Sequence, residues 1–222
     1  MHACDAVRVK ALHVGIVRTL VEVDAFFTLP GETRAELEVR GSRFLAIAVP
    51  IGDRASAESF VAGQVRVQRN PTHVVPVWRL CDGTAWSSDA GEPAGSAGLP
   101  LVAALEGAGL HDVAAVVVRW YGGVNLGLGG LVRAYGGVLA DALARGGTVE
   151  RVRTLAVEVR FDHGQTASVL RVIDAHGGRD LAFAYDVAAE CTFALPASQR
   201  APFERALRDA TRGRVTATVK SS

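Results

Sequence analysis

Residues 113–137 read VAAVVVRWYGGVNLGLGGLVRAYGG and predict three consecutive elements. Residues 113–119 are rich in β-branched side chains and are long enough for one buried strand. Glycine then occupies seven of the sixteen positions from 122 to 137, and an amphipathic helix is predicted from 130 to 145. A strand, a glycine loop and a helix start bring free backbone N–H groups together, and this geometry suits an anion.

The residues before this stretch predict the other elements of the same domain. Alternation at 35–39, a turn at Gly41-Ser42 and an apolar run over 44–51 predict a β-hairpin. Asp53 is the predicted N-cap of a helix that ends near residue 68. A strand over 73–81 is followed by a segment rich in Gly, Ser and Pro, residues 82–100, and by a short helix over 97–107.

The residues after Gly146-Gly147 predict a second domain. Their pattern indicates these elements: a strand (155–161), a helix (163–176), two strands (179–186 and 188–195), a helix (197–212) and a strand (214–219). The order β-α-β-β-α-β is that of a split, ferredoxin-like domain. We therefore predict an α+β protein with domains at 31–147 and 148–222, preceded by an extension, residues 1–30, of uncertain order.

The composition excludes several classes of protein. The 222 residues are 49% hydrophobic and 21% charged, which is enough apolar material for a sizeable core and excludes disorder. The net charge of +1 gives no overall attraction to nucleic acid or to membranes. Cys4, Cys81 and Cys191 are too scattered for a disulfide framework or a zinc site, so a reducing cytoplasm is expected.

Two arginines, Arg119 and Arg133, bracket the glycine loop with no acidic residue between them. We expect both guanidinium groups and the unpaired amides of the loop to face water and to hold negative charge. The spacing fits neither a Walker loop nor the G-x-G-x-x-G pattern, and tight packing explains the glycines equally well. Gly136 and Gly137, inside the helix, each cost roughly 0.5–1 kcal/mol relative to alanine, which predicts close approach of another backbone or a ligand.

His73, Asp89 and Glu92 form a candidate catalytic set. Paired carboxylates and an imidazole bind metals or act as general acid and base. Acidic residues in Gly-Ser-Pro loops more often cap helices or pair with arginine, and no serine or cysteine lies in a nucleophile motif. An ion-pair network with Arg119 and Arg133 is therefore the favoured interpretation.

Aromatic residues are frequent in the same region: Trp78, Trp86, Trp120, Tyr121 and Tyr135. Aromatic rings that flank arginines stack nucleic-acid bases or clamp peptides. Core packing is expected of Trp78 and Tyr135, which lie in a predicted strand and helix. Trp86 and Tyr121 fall in predicted loops, where an exposed ring would indicate binding.

Two long motifs resemble those of the bacterial, YigZ-like branch of the IMPACT family. Residues 88–98, SDAGEPAGSAG, are similar to the family pattern S-D-D-G-E-P-x-G-T-A-G, and residues 116–137 are similar to the glycine-rich pattern that follows it. The resemblance begins near Glu36, reaches the C-terminal domain and leaves the first 30 residues uncovered. Ala90 replaces the second acid of the first motif, and Thr72-His73-Val74-Val75 keeps only two residues of the family's T-H-N-C.

The resemblance implies an N-terminal domain similar to the second domain of ribosomal protein S5, and a ferredoxin-like domain similar to the last domain of elongation factor G. It also implies a role in translation, because eukaryotic relatives act in translational control. We therefore expect a non-catalytic binding protein, without cofactor or metal, that contacts RNA or a ribosome-associated factor through residues 119–133. The alternatives are a hydrolase of phosphorylated or peptide substrates that uses His73, Asp89 and Glu92, and a protein-interaction module without a small ligand.

The expected binding residues carry charge, an aromatic ring, an amide or glycine, and they lie in the two motifs and at the strand before them. They are His73, Asp89, Glu92, Arg119, Tyr121, Gly122, Gly123, Asn125, Gly127, Gly129, Gly130 and Arg133. In the leading hypothesis none of them is catalytic, and no membrane partner is expected. The sequence does not indicate an oligomeric state.

Overall fold

The computed structural model describes residues 24–185 and 188–220. The chain divides into two compact units, of which one is Phe26–Glu150. Of the described residues, the other unit contains 24–25 and 151–220. The sequence predicts this boundary after Gly147, three residues earlier. Most of the predicted extension, residues 1–23, lies outside the described residues, and strand β1 is Ala25–Thr28.

A five-stranded antiparallel sheet lies at the centre of the unit Phe26–Glu150. Its strands are β2 (Thr33–Val39), β3 (Ser42–Pro50), β4 (His73–Arg79), β5 (Ala85–Ser87) and β6 (Val113–Trp120). They lie in the order β2-β3-β6-β4-β5. Residues 113–119 of the central strand β6 are all buried, as the run of β-branched residues predicts.

Three helices cover the two faces of this sheet: α1 (Arg54–Val67), α2 (Gly98–Gly107) and α3 (Gly127–Gly146). On one face, Phe60 of α1 packs against Ile47 and Val116. On the other face, α2 and α3 enclose a larger core that includes Phe44 and Tyr135. The predicted cap of α1 is confirmed, because the Asp53 side chain accepts a hydrogen bond from the backbone N–H of Ser56.

Two predictions about the glycines of α3 are wrong. The helix begins at Gly127 rather than at residue 130, because the φ of +69° at Gly127 turns the chain directly into the first turn. Close approach of another backbone does not explain the glycines inside the helix. A Cβ atom on Gly136 would make an ordinary contact, 3.5 Å from the Pro100 carbonyl oxygen, and one on Gly137 would meet nothing within 4 Å.

The second unit is a four-stranded antiparallel sheet with two helices. Its elements are β8 (Thr154–Phe161), α4 (Thr166–Ala175), β9 (Arg179–Tyr185), β10 (Ala189–Pro196), α5 (Arg200–Thr211) and β11 (Ala217–Val219). The strand order β11-β8-β10-β9 is that of a ferredoxin-like domain, so the predicted α+β fold class with two domains is confirmed. Strand β7 (Val149–Val152) pairs with β1 in a separate two-stranded sheet.

The core of the second unit lies between the sheet and its two helices, around Val159, Ile173, Phe193 and Phe203. Each of these side chains is almost completely buried. In the described part of the chain, no helix combines the length and the apolar character that crossing a membrane requires.

Candidate functional site

A cleft of about 540 Å³ opens beside the N-terminus of α3. We call it the α3 cleft, and its lining residues are Thr72, His73, Gly91, Glu92, Pro93, Arg119, Tyr121, Asn125, Leu126, Gly127, Leu128 and Leu131. The antiparallel pairing of β4 and β6 places His73 directly opposite Arg119. Directly opposed residues project from the same face of a sheet, so both side chains reach the cleft.

Arg119 is only 5% exposed, so the expectation that its guanidinium faces water is wrong. Its Nη1 donates a hydrogen bond to Glu92 Oε1 over 2.7 Å. The ring centroids of Phe44 and Tyr121 lie 5.5 and 5.4 Å from its Cζ. Within the described residues, the buried Nε has no hydrogen-bond partner. The guanidinium therefore keeps a donor that a ligand in the cleft would pair.

Glu92 is the acceptor that holds Arg119 and Tyr135 together. Tyr135 Oη donates to Glu92 Oε1 over 2.6 Å, so both hydrogen bonds end on the same carboxylate oxygen. Burial, and next the hydrogen bond to Glu92, raise the pKa of the Tyr135 phenol, which therefore remains a donor. No hydrogen bond to Oε2 is found within the described residues, so this oxygen remains available to a ligand.

The imidazole of His73 has one nitrogen fixed and one facing the carboxylate. Nδ1 lies 2.9 Å from the carbonyl oxygen of Ala90, and because a carbonyl only accepts, Nδ1 carries the hydrogen. In the neutral imidazole, Nε2 is then an acceptor, 3.9 Å from Glu92 Oε1. His73 and Glu92 are thus the two predicted catalytic residues that the cleft brings together.

Asp89 does not line the cleft, and its side chain instead fixes the loop between β5 and α2. Its carboxylate accepts three backbone N–H groups, from Gly95, Ala97 and Gly98, at 2.8–3.0 Å. Burial alone would raise the pKa of this carboxyl, but these hydrogen bonds outweigh burial and hold its pKa below the usual value. Because Gly98 begins α2, Asp89 supplies the negative charge that this helix N-terminus favours.

Unlike α2, helix α3 has no carboxylate bonded to its N-terminal N–H groups among the described residues. The helix is 20 residues long, its N-cap is Leu126, and no side chain of the described residues caps it. The backbone N–H groups of its first turn and the positive end of its dipole therefore meet the cleft at Gly127 and Leu128.

The remaining predicted residues lie outside the cleft lining: Gly122, Gly123, Gly129, Gly130 and Arg133. Gly122 is required by packing, because a Cβ atom there would lie 1.9 Å from the carbonyl carbon of Gly41. The side chain of Arg133 is exposed and has no acidic partner among the described residues. The favoured ion-pair network is therefore reduced to Arg119 and Glu92, and no three acidic, His or Cys residues within 24–185 and 188–220 could hold a metal.

Sequence reasoning missed Thr72 and the polar role of Tyr135. Thr72 Oγ1 accepts a hydrogen bond from the backbone N–H of Tyr121 over 2.9 Å and so fixes the end of β6. The signals in the sequence are its position next to His73 and its match, with His73, to the first two residues of the family's T-H-N-C. Tyr135 was expected in the core and is buried there, but helical periodicity carries no information about the partner of its hydroxyl.

Both parts of the chain match known family models. Residues 40–143 match the model described as the Impact N-terminal domain, and residues 159–214 match one described as a domain of unknown function (DUF1949). The IMPACT family member YigZ of Escherichia coli K12 is 32% identical over 180 residues, which are 79% of this chain and 88% of that protein. The IMPACT family member in the pol 5′ region of Thermus thermophilus is 36% identical over 178 residues, 80% of this chain and 97% of that protein.

A solved structure is similar along nearly the whole chain. It is the crystal structure of a hypothetical protein with 28% sequence identity and a TM-score of 0.64. The similarity covers 90% of this chain and 98% of that one. It therefore includes both units.

Proposed function

This chain belongs to the IMPACT family, and we propose that it is a non-catalytic binding protein of translation that holds an RNA phosphate at the first turn of α3. One observation carries the proposal. The uncapped N-terminus of a 20-residue helix opens into a cleft whose buried Arg119 keeps Nε without a partner among the described residues. Phosphate groups satisfy both kinds of donor.

The charge of the site supports a phosphate rather than a cation. Glu92 neutralises Arg119, so the remaining positive potential comes from the helix dipole and from Arg133. A Cβ atom on Gly129 would lie 3.4 Å from Arg133 Nη1, so this guanidinium folds back over the first turn of α3. An RNA backbone at the mouth of the cleft would therefore meet the helix N-terminus and Arg133 together.

The hydrolase alternative is weakened because it needs three residues and the cleft offers two. Asp89 holds backbone N–H groups and does not line the cleft, so it is not in place to activate a water molecule there. The interaction-module alternative predicts partners that are captured equally well before and after nuclease treatment. Our proposal predicts that nuclease treatment releases them.

Arg133→Ala tests the proposal, with Arg145→Ala as the matched control. Both arginines are exposed on α3, one near its first turn and the other in its last turn. Binding of a labelled, structured RNA is measured by fluorescence anisotropy over a series of salt concentrations. We expect Arg133→Ala to weaken binding and to reduce the slope of log K against log salt by about 1, and Arg145→Ala to change neither.

Equal effects of the two substitutions, or RNA binding that does not depend on salt, would contradict the proposal. Arg119 is a poor first target because its substitution leaves Glu92 buried without a charged partner. A loss of binding in that variant would then report a loss of stability.

A further inference from the structure

The size of the α3 cleft restricts what enters it. A volume of about 540 Å³ is typical of a pocket for one small ligand. A paired RNA helix does not fit such a space, whereas a single nucleotide with its base unpaired does. Sequence-tolerant recognition of single strands also depends on unpaired bases, which stack on aromatic rings.

One part of the cleft lining presents hydrogen-bond donors. They come from the guanidinium of Arg119, the N–H groups at the start of α3 and the amide of Asn125. Asn125 Oδ1 accepts the hydroxyl of Tyr121 at 3.2 Å, and the amide NH₂ group is the donor that Asn125 offers to a ligand. A phosphate, whose oxygens are acceptors at neutral pH, is complementary to these donors.

Tyr121 provides a rigid aromatic platform at the mouth of the cleft. Its backbone N–H is bound to Thr72 Oγ1 and its hydroxyl is bound to Asn125, so both ends of the residue are held. Arg119 lies over its ring at 5.4 Å, and yet 45% of the residue is exposed. Leu128, 61% exposed on the first turn of α3, lines the same mouth. A base stacked on the free part of this ring would cover both apolar surfaces.

Other groups in the lining of the cleft are acceptors. Glu92 Oε2 makes no hydrogen bond within the described residues, and Nε2 of His73 is an acceptor in the neutral form of the imidazole. Hydroxyl groups of a ribose would donate to both. The cleft therefore offers donors for a phosphate, a platform for a base and acceptors for a sugar within one small volume.

We propose that the α3 cleft binds one nucleoside 5′-monophosphate unit, with its phosphate on Arg119 and the start of α3 and its base on Tyr121. This inference rests on the proposed function and names the ligand of the same site. Stacking, not hydrogen bonding, recognises the base, so purine and pyrimidine nucleotides both bind. The unit is supplied either by a free nucleotide or by the phosphorylated end of a single-stranded RNA.

The test is a set of calorimetric titrations of the full chain with adenosine 5′-monophosphate, adenosine and inorganic phosphate. We expect the monophosphate to bind at least tenfold more tightly than either of its parts. A monophosphate that binds no more tightly than inorganic phosphate overturns the inference. A tetranucleotide RNA with a 5′-phosphate identifies the source: tighter binding than the free monophosphate assigns the site to RNA ends, and weaker binding assigns it to the free nucleotide.

Two matched pairs of variants separate the contributions of base and phosphate. Tyr121→Ala should weaken monophosphate binding at least fivefold, whereas Trp86→Ala, which removes a ring of similar exposure on β5, should not change it. Leu128→Asp places a carboxylate beside the phosphate and should abolish the contribution of the phosphate to the binding affinity. Leu128→Asn should retain most of that contribution. Because acidic residues suit the first turn of a helix, Leu128→Asp is expected to fold.

Equal losses within either pair overturn the inference. RNA binding that depends on Arg133, without any binding of the monophosphate, overturns this inference and leaves the proposed function in place. Monophosphate binding that depends on Tyr121, together with RNA binding that Arg133→Ala does not change, supports this inference and overturns the RNA proposal.

Discussion

Glu92 Oε1 lies 2.7 Å from Arg119 Nη1, and both side chains are more than nine-tenths buried. Removing two charges from water is costly, and each charge is tolerated here because the other neutralises it. The same carboxylate oxygen accepts the Tyr135 hydroxyl, so β6, the loop after β5 and α3 meet at one atom. The residues that form the wall of the α3 cleft therefore also stabilise the unit Phe26–Glu150.

Arg119→Ala is expected to lower the free energy of unfolding by about 3–5 kcal/mol, because it leaves Glu92 buried and uncompensated. Urea denaturation followed by circular dichroism measures the loss. Arg54→Ala is the control, since Arg54 forms an exposed pair with Glu58 at the same 2.7 Å and its removal should cost less than about 1 kcal/mol. Similar losses in the two variants would show that burial does not determine the strength of the pair.

Tyr135→Phe is expected to cost about 1.5–3 kcal/mol at pH 7, the usual value for a hydrogen bond to a charged group. The difference should shrink at high pH. Burial and the hydrogen bond to Glu92 raise the pKa of Tyr135 in the folded state above its unfolded value near 10. Above pH 10 the unfolded phenol loses a proton that the folded one keeps, so the wild type loses stability as pH rises.

Urea unfolding of both proteins between pH 8 and pH 11 measures this effect. The stability of the wild type should fall more steeply above pH 10 than that of Tyr135→Phe. Parallel curves for the two proteins would mean that the phenol titrates equally in both states.

Asp89→Asn is expected to cost about 1–3 kcal/mol at pH 7, because the amide keeps one uncharged acceptor oxygen and turns an NH₂ donor toward a backbone N–H group. The backbone hydrogen bonds hold the folded pKa of Asp89 below its unfolded value. The contribution is therefore complete above the unfolded pKa, near 3.9, and is lost as pH falls through the folded pKa. Unfolding measured from pH 6 to pH 2 should show the two proteins converging at the acidic end.

Asp141→Asn, which changes an exposed acid on α3, is the control for that series. A gap between wild type and Asp89→Asn that stays constant down to pH 2 would contradict the assignment. In that case the cost would come from steric change and not from charge.

Gly122→Ala is expected to destabilise the protein by about 1–3 kcal/mol, because its Cβ atom would overlap the Gly41 backbone and force the two loops apart. Gly137→Ala should do the opposite. Its Cβ atom meets nothing within 4 Å inside a helix, so a gain of about 0.5–1 kcal/mol is expected. Thermal unfolding of the two variants checks both signs, and a stable Gly122→Ala protein would exclude the close approach.

The elements follow from short-range patterns, which is why most of them were predicted. The N-cap at Asp53 acts within four residues, and the buried run over 113–119 needs only its own side chains. The sequence predicts the start of α3 three residues too late. A glycine with positive φ is as compatible with a loop as with the residue that begins a helix, so Gly127 could not be assigned from its type. Short strands such as β5 carry too few residues for a period to show.

The sequence alone established two α+β domains, the ferredoxin-like order of the second and the motifs of the IMPACT family, because periodicity and turn chemistry are properties of neighbouring residues. The pairing of individual charged and polar side chains does not follow from such local patterns. Glu92 and Arg119 are 27 positions apart and Glu92 and Tyr135 are 43 apart, whereas the side chain of Asp89, three residues from Glu92, accepts hydrogen bonds from nearby backbone N–H groups. Folding selects among such partners through strand register and helix packing. For that reason the cleft, its unpaired donors and the burial of Arg119 belong to the three-dimensional structure.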